Sequence, residues 1–498
     1  MTTWEGLLFG LGFALQPEVL VYCLLGVVLG TFVGVLPGIG AMAAISLLLP
    51  ITYYITPEAA LIMLAGVYYG AQYGGAVASI LLRLPGTPQS AVTTLDGYPM
   101  ARDGRAGVAL FTAMVTSFAG SVFGIVVLVM LAGWLSRAAV AFGSADYAAM
   151  MILGLVAAST IGTSRPAKGF AMVALGLLLG CVGTDVNSGV QRFTFGQTEL
   201  LDGINLVALA MGLFGVAEVI ANVRDPDRQK VTERLGLRSL MPMWDDLRRM
   251  FWPTLRGSAL GSFFGALPGT GSTLSSFLSY SMERRIARQP ERFGKGAIEG
   301  VAGPEAANNA AAITAFAPTL TLGIPGDPIM ALMLGALVIH GVQPGPMMLE
   351  ARPEMFWGLV ASFGIGNLLL LILNLPLIGI WVAMLRIPFH LMYPAILVFI
   401  CLGVLSVRGL TFDVVAVAGI GLAGYLLTLA KFSPALLLLG FVLGPLIETN
   451  LRRAFLISRG DPMVFLERPI AAGFVMAICA LLVLSLWQAW RRRADDSA

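Results

Sequence analysis

The sequence predicts an all-α polytopic membrane protein with two related halves, and three observations predict it. Hydrophobic residues make up 57% of the 498 residues and charged residues only 12%, against about 25% charged in soluble domains. Apolar stretches of roughly 17 to 25 residues recur along the chain, long enough to cross a bilayer core of about 30 Å. Finally, Pro-Gly motifs recur in the same order in both halves. So few charges cannot cover a water-facing surface, and the bilayer is therefore the expected solvent.

The apolar segments set the expected number of spans. Several are interrupted by Gly and Pro, so we expect about 10 to 12 true spans together with re-entrant pieces. The segments are 18–36, 41–55, 59–82, 107–133, 146–162, 167–183, 203–221, 254–280, 308–340, 356–385, 388–406, 412–430, 433–447 and 470–490.

Three motif pairs indicate an internal duplication. Gly34–Gly40 (GVLPGIG) is matched by Gly265–Gly271 (GALPGTG) at an offset of 231 residues. Leu84–Pro88 (LPGTP) is matched by Ile324–Pro328 (IPGDP) at an offset of 240. A weaker match relates 211–218 to 440–448. Ordered matches at a nearly constant offset are typical of duplicated units.

The charge pattern divides the chain into four parts. We expect a first repeat over 1–221, a basic cytoplasmic linker over 222–250, a second repeat over 251–450, and over 451–498 a connecting loop, a last transmembrane helix and a basic cytoplasmic tail. An odd number of spans in the first repeat would make the second repeat inverted, a common plan among secondary transporters. The loop over 451–468 fits this topology badly, because it carries four arginines yet would lie outside.

Several classes of function are disfavoured. The four cysteines are far apart, and the two histidines, His340 and His390, have no carboxylate at metal-ligand spacing, so we expect no metal site and no cofactor. A net charge of +3 does not predict nucleic-acid binding. No basic residue precedes Arg83, so we expect no cleavable signal peptide. We expect no enzyme, because no histidine lies near a Ser or Cys nucleophile in sequence. An intramembrane enzyme and a passive anion channel remain the alternatives.

The Pro-Gly elements are the candidate substrate site. Proline and glycine at membrane depth break helices, and the freed backbone groups must line a polar cavity or be buried in protein. Helix N-termini at such breaks favour anions, and unwound carbonyls suit small cations. The alternative is that these residues only kink packed helices. The predicted substrate-binding residues are Pro37, Gly38, Gly40, Gln72, Arg83, Pro85, Gly86, Thr87, Ser90, Pro268, Gly269, Gly271, Ser272, Pro325 and Gly326.

A co-transported cation, Na⁺ or H⁺, is expected near acidic and amide groups of the second half. The predicted cation-binding residues are Glu305, Asn308, Asn309, Thr314 and Asp327. Three residues keep alternative interpretations. Arg83 would either bind a substrate carboxylate through two hydrogen bonds or extend to lipid headgroups. Asp327 would bind the cation or cap the following helix, and Asp96 is interpreted first as part of a loop turn.

The chain resembles the large membrane subunit of the bacterial tripartite tricarboxylate transporters. The resemblance extends over about residues 20–450 and rests on irregular Gly, Pro and Asn patterns. They are Gly34–Gly40, Tyr69–Gly75, Leu84–Pro88, Leu95–Ala101, Gly300–Asn309, Gly323–Gly326 and His340–Gly345.

This resemblance implies a large subunit in the bacterial inner membrane that acts with a small four-span membrane subunit and a periplasmic solute-binding protein. It implies uptake of di- or tricarboxylates such as citrate, driven by a sodium or proton gradient. The absence of a Walker A pattern agrees with a carrier that does not use ATP. At one position the sequence departs from the family, because many relatives carry an uncharged residue, often Asn, in place of Arg83.

Overall fold

The computed structural model describes residues 3–36, 40–139, 141–161, 165–185, 188–223, 237–267, 271–345, 348–384 and 389–496. Within these ranges nearly all of the ordered structure is helical, and the one sheet is a two-stranded antiparallel hairpin of β1 (Gly183–Thr184) and β2 (Gln191–Arg192). The prediction of an all-α polytopic protein is confirmed.

Most helices of the first half follow the predicted apolar segments. Two of them end at Val35 and Leu82, just before Pro-Gly elements, whereas Pro50 and Pro99 lie inside helices. Short 3₁₀ turns lie at Pro88–Ala91 and Thr198–Leu200, and π-helical turns lie at Ala101–Arg105 and Met211–Val216. The helices are α1 (Thr3–Ala14), α2 (Pro17–Val35), α3 (Gly40–Thr52), α4 (Pro57–Leu82), α5 (Thr93–Met100), α6 (Ala106–Ala139), α7 (Ser144–Ile161), α8 (Pro166–Gly180), α9 (Leu206–Ala210) and α10 (Ala217–Val223).

Helices of the second half begin inside the segment predicted as linker, 222–250. Part of that segment, 224–236, lies outside the described residues. The predicted 254–280 segment is two helices, α11 and α12, and 3₁₀ turns lie at Leu237–Leu240 and Pro290–Arg292. The helices are α11 (Trp244–Gly265), α12 (Gly271–Ile286), α13 (Glu299–Thr314), α14 (Phe316–Leu322), α15 (Pro328–Ile339), α16 (Met348–Ala351), α17 (Pro353–Asn374), α18 (Ile378–Met384), α19 (Phe389–Arg408), α20 (Thr411–Leu429), α21 (Pro434–Ile457), α22 (Val464–Glu467) and α23 (Pro469–Asp496).

Five helical segments of the described chain are long and apolar enough to cross a membrane. They are Pro17–Val35, Thr93–Leu135, Pro353–Asn374, Thr411–Leu429 and Pro434–Ile457. Seven shorter apolar helices of 10 to 17 residues accompany them. Two of these, Gly40–Thr52 and Pro328–Ile339, begin just after Pro-Gly elements, which interrupt the helix and so shorten it.

Two helix pairs, one in each half, are packed through glycines. α2 turns Gly26, Gly30 and Gly34 toward the backbone of α4, and α11 turns Gly257, Gly261 and Gly265 toward the backbone of α13. A methyl group at Gly30 would lie 2.7 Å from Val67 Cα, and one at Gly261 would lie 2.7 Å from Ala307 Cα. Small residues let membrane helices approach this closely. Both sets of glycines are related by the 231-residue offset of the GVLPGIG and GALPGTG motifs.

One end of the helix assembly, called here the first face, is marked by two contacts. The Tyr54 hydroxyl donates to the Ser406 carbonyl at 3.0 Å, and Arg352 pairs with Glu58 at 3.5 Å. α4 begins at this face, one residue before Glu58. α15 ends at it, since His340 directly after α15 has its ring 6.5 Å from the ring of Tyr53.

The other end, called here the second face, joins the two halves of the chain. Arg105 pairs with Asp246 at 2.6 Å, and the Asp96 carboxylate accepts the backbone N–H of Gly294 at 2.9 Å. α5 ends near this face and α13 begins near it. The path from α4 to α5 therefore runs from the first face to the second, and the path from α13 to α15 runs from the second face to the first.

Candidate functional site

Two helix breaks have the same backbone conformation at their first residue. α4 ends at Leu82, and Arg83 follows with φ 58°. α14 ends at Leu322, and Gly323 follows with φ 69°. Glycine adopts this left-handed region without a steric penalty, whereas arginine does not. The exposed Arg83 side chain extends over the ring of Tyr98, with 5.8 Å between the guanidinium carbon and the ring centroid.

The Pro-Gly element of each break packs against the end of a glycine-packed helix, α2 in the first half and α11 in the second. A methyl group at Gly86 would lie 2.7 Å from Gly75 Cα and would also collide with the Gly34 carbonyl at the end of α2. A methyl group at Gly326 would lie 3.3 Å from the Gly265 carbonyl oxygen at the end of α11. Each break therefore lies against the end of the corresponding glycine-packed helix. Pro85 is exposed and Pro325 is buried.

The turns between α2 and α3 and between α11 and α12 are only partly described. Pro37, Gly38, Pro268 and Gly269, all predicted substrate-binding residues, lie outside the described residues. Gly40 and Gly271, which begin α3 and α12, have φ values of 66° and 64°. The equivalent glycines thus share the left-handed conformation that the turn requires.

Each break is followed by a capped helix turn. After the first break, the Thr87 hydroxyl donates to Ser90 Oγ at 3.2 Å, and the Ser90 hydroxyl donates to the Thr87 carbonyl at 2.9 Å. After the second, Asp327 Oδ1 accepts the Met330 N–H at 2.8 Å. The capping role that the sequence offered for Asp327 is therefore present.

The second carboxylate oxygen of Asp327 is held by the other half of the protein. Tyr68, in the middle of α4, donates its hydroxyl to Asp327 Oδ2 at 2.9 Å, and the same hydroxyl lies 3.4 Å from Ser272 Oγ. All three side chains are buried. The Asp327 carboxylate thus caps α15 and binds α4 through Tyr68. Tyr68 in turn contacts Ser272 of α12, so α12 is joined to the break through Tyr68.

Glu305 is the centre of a second polar cluster, called here the Glu305 cluster, which consists of Glu305, Thr93, Ser117, Asn308 and Asn309. Thr93 donates to one carboxylate oxygen, and Ser117 and Asn308 donate to the other at 3.3 and 3.2 Å. Asn309 Nδ2 lies 2.8 Å from Ser117 Oγ and 2.6 Å from Asn308 Oδ1. Glu305 has none of its surface exposed.

Some buried polar atoms near these clusters have no protein partner within the described residues. Both amide atoms of Gln72, the hydroxyls of Ser79 and Ser121, and Asn309 Oδ1 are in this state. Leaving such groups unpaired away from water costs free energy. Gln72 lies one helical turn after Tyr68 on α4, so its free amide lies on the same side of that helix as the group that holds Asp327. These atoms are therefore candidates to bind a ligand.

Comparison with known proteins identifies the family. The tripartite tricarboxylate transporter TctA family matches residues 20–439. The chain is a member of the TctA family. It is 51% identical over 490 residues, 97% of both chains, to an Agrobacterium vitis protein named "Uncharacterized 52.8 kDa protein in TAR-I ttuC' 3'region". It is 53% identical over 236 residues to "Uncharacterized protein in TAR-II ttuC' 3'region" of the same organism, a match that covers 47% of this chain and 98% of that protein. No solved structure matches.

Membership of the TctA family identifies the chain as a multi-pass membrane subunit of a tripartite transporter, and it implies a transporter rather than an enzyme. In this TctA protein the predicted cation-binding residues do not form one group. Glu305, Asn308 and Asn309 lie together, whereas Asp327 belongs to the Tyr68 contact. Thr314 donates to the carbonyl of Ala310 within its own helix.

Two residues of these clusters were missed from the sequence. Tyr68 lies in an apolar run, and its position four residues before Gln72 was the signal that would have found it. Ser117 lies in the long apolar α6 and gave no such signal. Both contacts join residues about two hundred positions apart or more, and no local pattern encodes them.

The interpretation of Asp96 as a loop turn is wrong, because Asp96 lies inside α5 and is buried. Its Oδ1 accepts the backbone N–H groups of Gly294, Gly296 and Ala297 at 2.8 to 2.9 Å, and its Oδ2 accepts the hydroxyl of Tyr280 at 3.0 Å. Asp96 therefore fastens the loop before α13 to the first half.

His340, the histidine whose side chain is described, is not part of either polar cluster. His340 caps the end of α15 and stands beside Tyr53, and the side chain of His390 lies outside the described residues. Within the described chain no group of three or more His, Cys, Asp or Glu residues is placed to hold a metal ion.

Proposed function

We propose that this chain is the large transmembrane subunit of a binding-protein-dependent secondary transporter that takes up di- or tricarboxylates together with Na⁺ or H⁺. In this proposal a periplasmic solute-binding protein delivers the acid, a small four-span subunit completes the membrane complex, and the complex lies in the bacterial inner membrane. Membership of the TctA family supports the assignment.

The observation that carries the coupling part of the proposal is the environment of Glu305. Its hydrogen-bond partners among the described residues are the hydroxyls of Thr93 and Ser117 and the amide of Asn308, all uncharged. An isolated carboxylate in a dry interior costs several kcal/mol or more, and it is stabilised by a proton or by a bound cation. Oxygen ligands from carboxylate, hydroxyl and amide groups also suit a hard cation. Glu305 is thus well placed to carry the co-transported ion.

Gln72 and the breaks form the proposed substrate site. The buried Gln72 amide, which has no partner among the described residues, offers its N–H groups to a carboxylate. Tyr68, Asp327 and Ser272 link α4 and α12 to the second break through side chains from both halves. Movement of the second break would change these contacts, so binding of substrate and ion would be coupled to the position of α4 and α12.

The opposite courses of α4–α5 and α13–α15 support an inverted repeat. Under this proposal the second face, with the arginines of 284–292 nearby, is cytoplasmic. The 451–468 segment then lies at the first face and outside. Two of its arginines are folded into ion pairs, Arg452 with Asp185 at 2.8 Å and Arg468 with Asp146 at 2.6 Å, so their positions are fixed by neighbouring helices.

The test is uptake of labelled di- and tricarboxylates into proteoliposomes that contain this chain, the small subunit and the binding protein, under imposed sodium or proton gradients. We expect accumulation above equilibrium that requires one gradient and the binding protein. Equilibration without accumulation would favour a passive channel and contradict the proposal.

The ion-coupling role is tested with Glu305→Gln, which keeps the size of the side chain and removes the charge. We expect exchange of substrate across the membrane to lose its dependence on the cation gradient and accumulation to fall at least about tenfold, equivalent to a coupling free energy of about 1.4 kcal/mol. Glu467→Gln, at an exposed position, is the matched control and should transport normally. Unchanged ion dependence in Glu305→Gln would remove Glu305 from the coupling site while leaving the transport function standing.

A further inference from the structure

A basic cavity lies at the second face, away from the polar clusters. It has a volume of about 570 Å³, and its walls come from α11, α12, the Pro290–Arg292 turn and the start of α13. Five arginines and two glutamates are among its lining residues. The cavity therefore concentrates positive charge between the ends of α11, α12 and α13.

Two of the five arginines are already neutralised. Arg249 binds Glu299 through two hydrogen bonds of 2.9 Å, and Arg256 binds Glu283 through two of 2.8 and 2.6 Å. These bidentate pairs hold α11 against α12 and α13 and give the walls a fixed geometry.

The other three arginines face the cavity without a carboxylate partner among the described residues. They are Arg248, Arg288 and Arg292. Arg248 and Arg288 are exposed and Arg292 is half-buried. Guanidinium groups are planar multiple donors that match the oxygens of phosphate and carboxylate groups. A cavity with three such groups available has the chemistry to bind an anion with several oxygens.

The rim of the cavity favours a lipid as the source of that anion. Trp252 lines the cavity and is 58% exposed, and Ile286 lines it and is 55% exposed. Trp244 and Phe251, also on α11, are 75% and 61% exposed. Exposed aromatic residues beside arginines are typical of the depth at which lipid headgroups lie. An acyl chain can therefore contact the apolar rim while a headgroup enters the basic cavity.

The geometry points to a binding site for the phosphate headgroup of an anionic phospholipid in this cavity. Arg248, Arg288 and Arg292 bind the phosphate oxygens, and Trp252 and Ile286 contact the lipid chains. Basic pockets between transmembrane helices bind acidic headgroups in this way. The lipid would join α11 to α12, the helix that starts beside Ser272 and ends at the cavity.

The test compares lipid binding by the purified full-length chain in zwitterionic phosphatidylcholine nanodiscs with and without added phosphatidylglycerol. We expect phosphatidylglycerol to bind and to raise the midpoint of thermal unfolding of the wild type. Arg248→Gln/Arg288→Gln/Arg292→Gln should weaken the apparent Kd on the order of 100-fold, and Arg288→Gln alone about fivefold.

Arg453→Gln is the matched control for Arg288→Gln, because Arg453 is exposed on α21 and its replacement makes the same change in net charge. It should bind phosphatidylglycerol like the wild type. Equal binding by the triple variant would overturn the proposal. If inorganic phosphate or citrate at matched ionic strength gave the full thermal shift and phosphatidylglycerol gave none, the lipid would be the wrong source. The measurement needs no transport, so its outcome is independent of the proposed function.

Discussion

Replacing Gly261 by alanine tests the close packing of α11 on α13. The added methyl carbon would lie 2.7 Å from Ala307 Cα, whereas carbon atoms in ordinary contact are about 3.5 to 4.0 Å apart. The two helices would therefore have to separate by about 1 Å. Overpacking of this kind costs typically about 1 to 3 kcal/mol. Gly326 of the second break packs against the Gly265 carbonyl at the end of α11. Separation of α11 from α13 should therefore also displace Gly326.

The assay is the thermal unfolding midpoint of the purified protein in detergent, followed by loss of the monodisperse chromatographic peak. Gly364→Ala is the matched control, because Gly364 lies within α17 and an added methyl group there meets no atom within 4 Å. We expect Gly261→Ala to lower the midpoint by on the order of 2 to 6 °C, and Gly364→Ala to leave it unchanged or raise it. Equal midpoints for the two variants would refute the close approach of α11 to α13. The equivalent change, Gly30→Ala, should behave like Gly261→Ala.

Three further predictions concern the breaks and the loop before α13. Gly86→Ala should reduce uptake and thermal stability more than Gly326→Ala, because its methyl group would lie 2.7 Å rather than 3.2 Å from the nearest carbon; equal losses would contradict the tighter packing of the first break. Arg83→Gly should raise stability by about 0.5 to 1 kcal/mol by relieving the left-handed backbone, and a lower unfolding midpoint would show that the strain is compensated elsewhere. Asp96→Ala should cost about 3 kcal/mol or more by leaving backbone N–H groups unpaired, with faster proteolysis of 287–298 as its measure; unchanged cleavage would argue against this anchoring role.

Arg83, where the sequence departs from the family it resembles, has a backbone conformation that bears on the role of its side chain. Its position ends α4 in the left-handed region, where Gly323 stands in the second half. Asparagine tolerates this conformation better than most residues with side chains, so an Asn at this position would carry less backbone strain than Arg83. Arg83 adopts this strained backbone conformation, and its side chain extends over the ring of Tyr98. Its charge is therefore exposed beside the break, and uptake by Arg83→Asn would show whether it contacts the substrate.

The sequence by itself determined the class of protein and the location of the breaks. Composition and span length identify a membrane protein because hydrophobic burial in a bilayer depends on local runs of residues. Pro85 and Gly86 ended a helix where expected because proline removes a backbone donor and restricts φ wherever it stands. The 231-residue offset also located the glycines of α11 that match those of α2, since both sets are equally spaced in the chain.

Only the tertiary structure decided which polar residues meet. Tyr68 binds Asp327 across 259 residues, and Ser117 binds Glu305 across 188. Asp96 looked like a turn residue because Gly97 and Pro99 follow it, yet contacts with the loop before α13 hold it in a helix. Hydrogen bonds between distant helices depend on how those helices pack, and the spacing of residues along one helix carries no information about the partner on another.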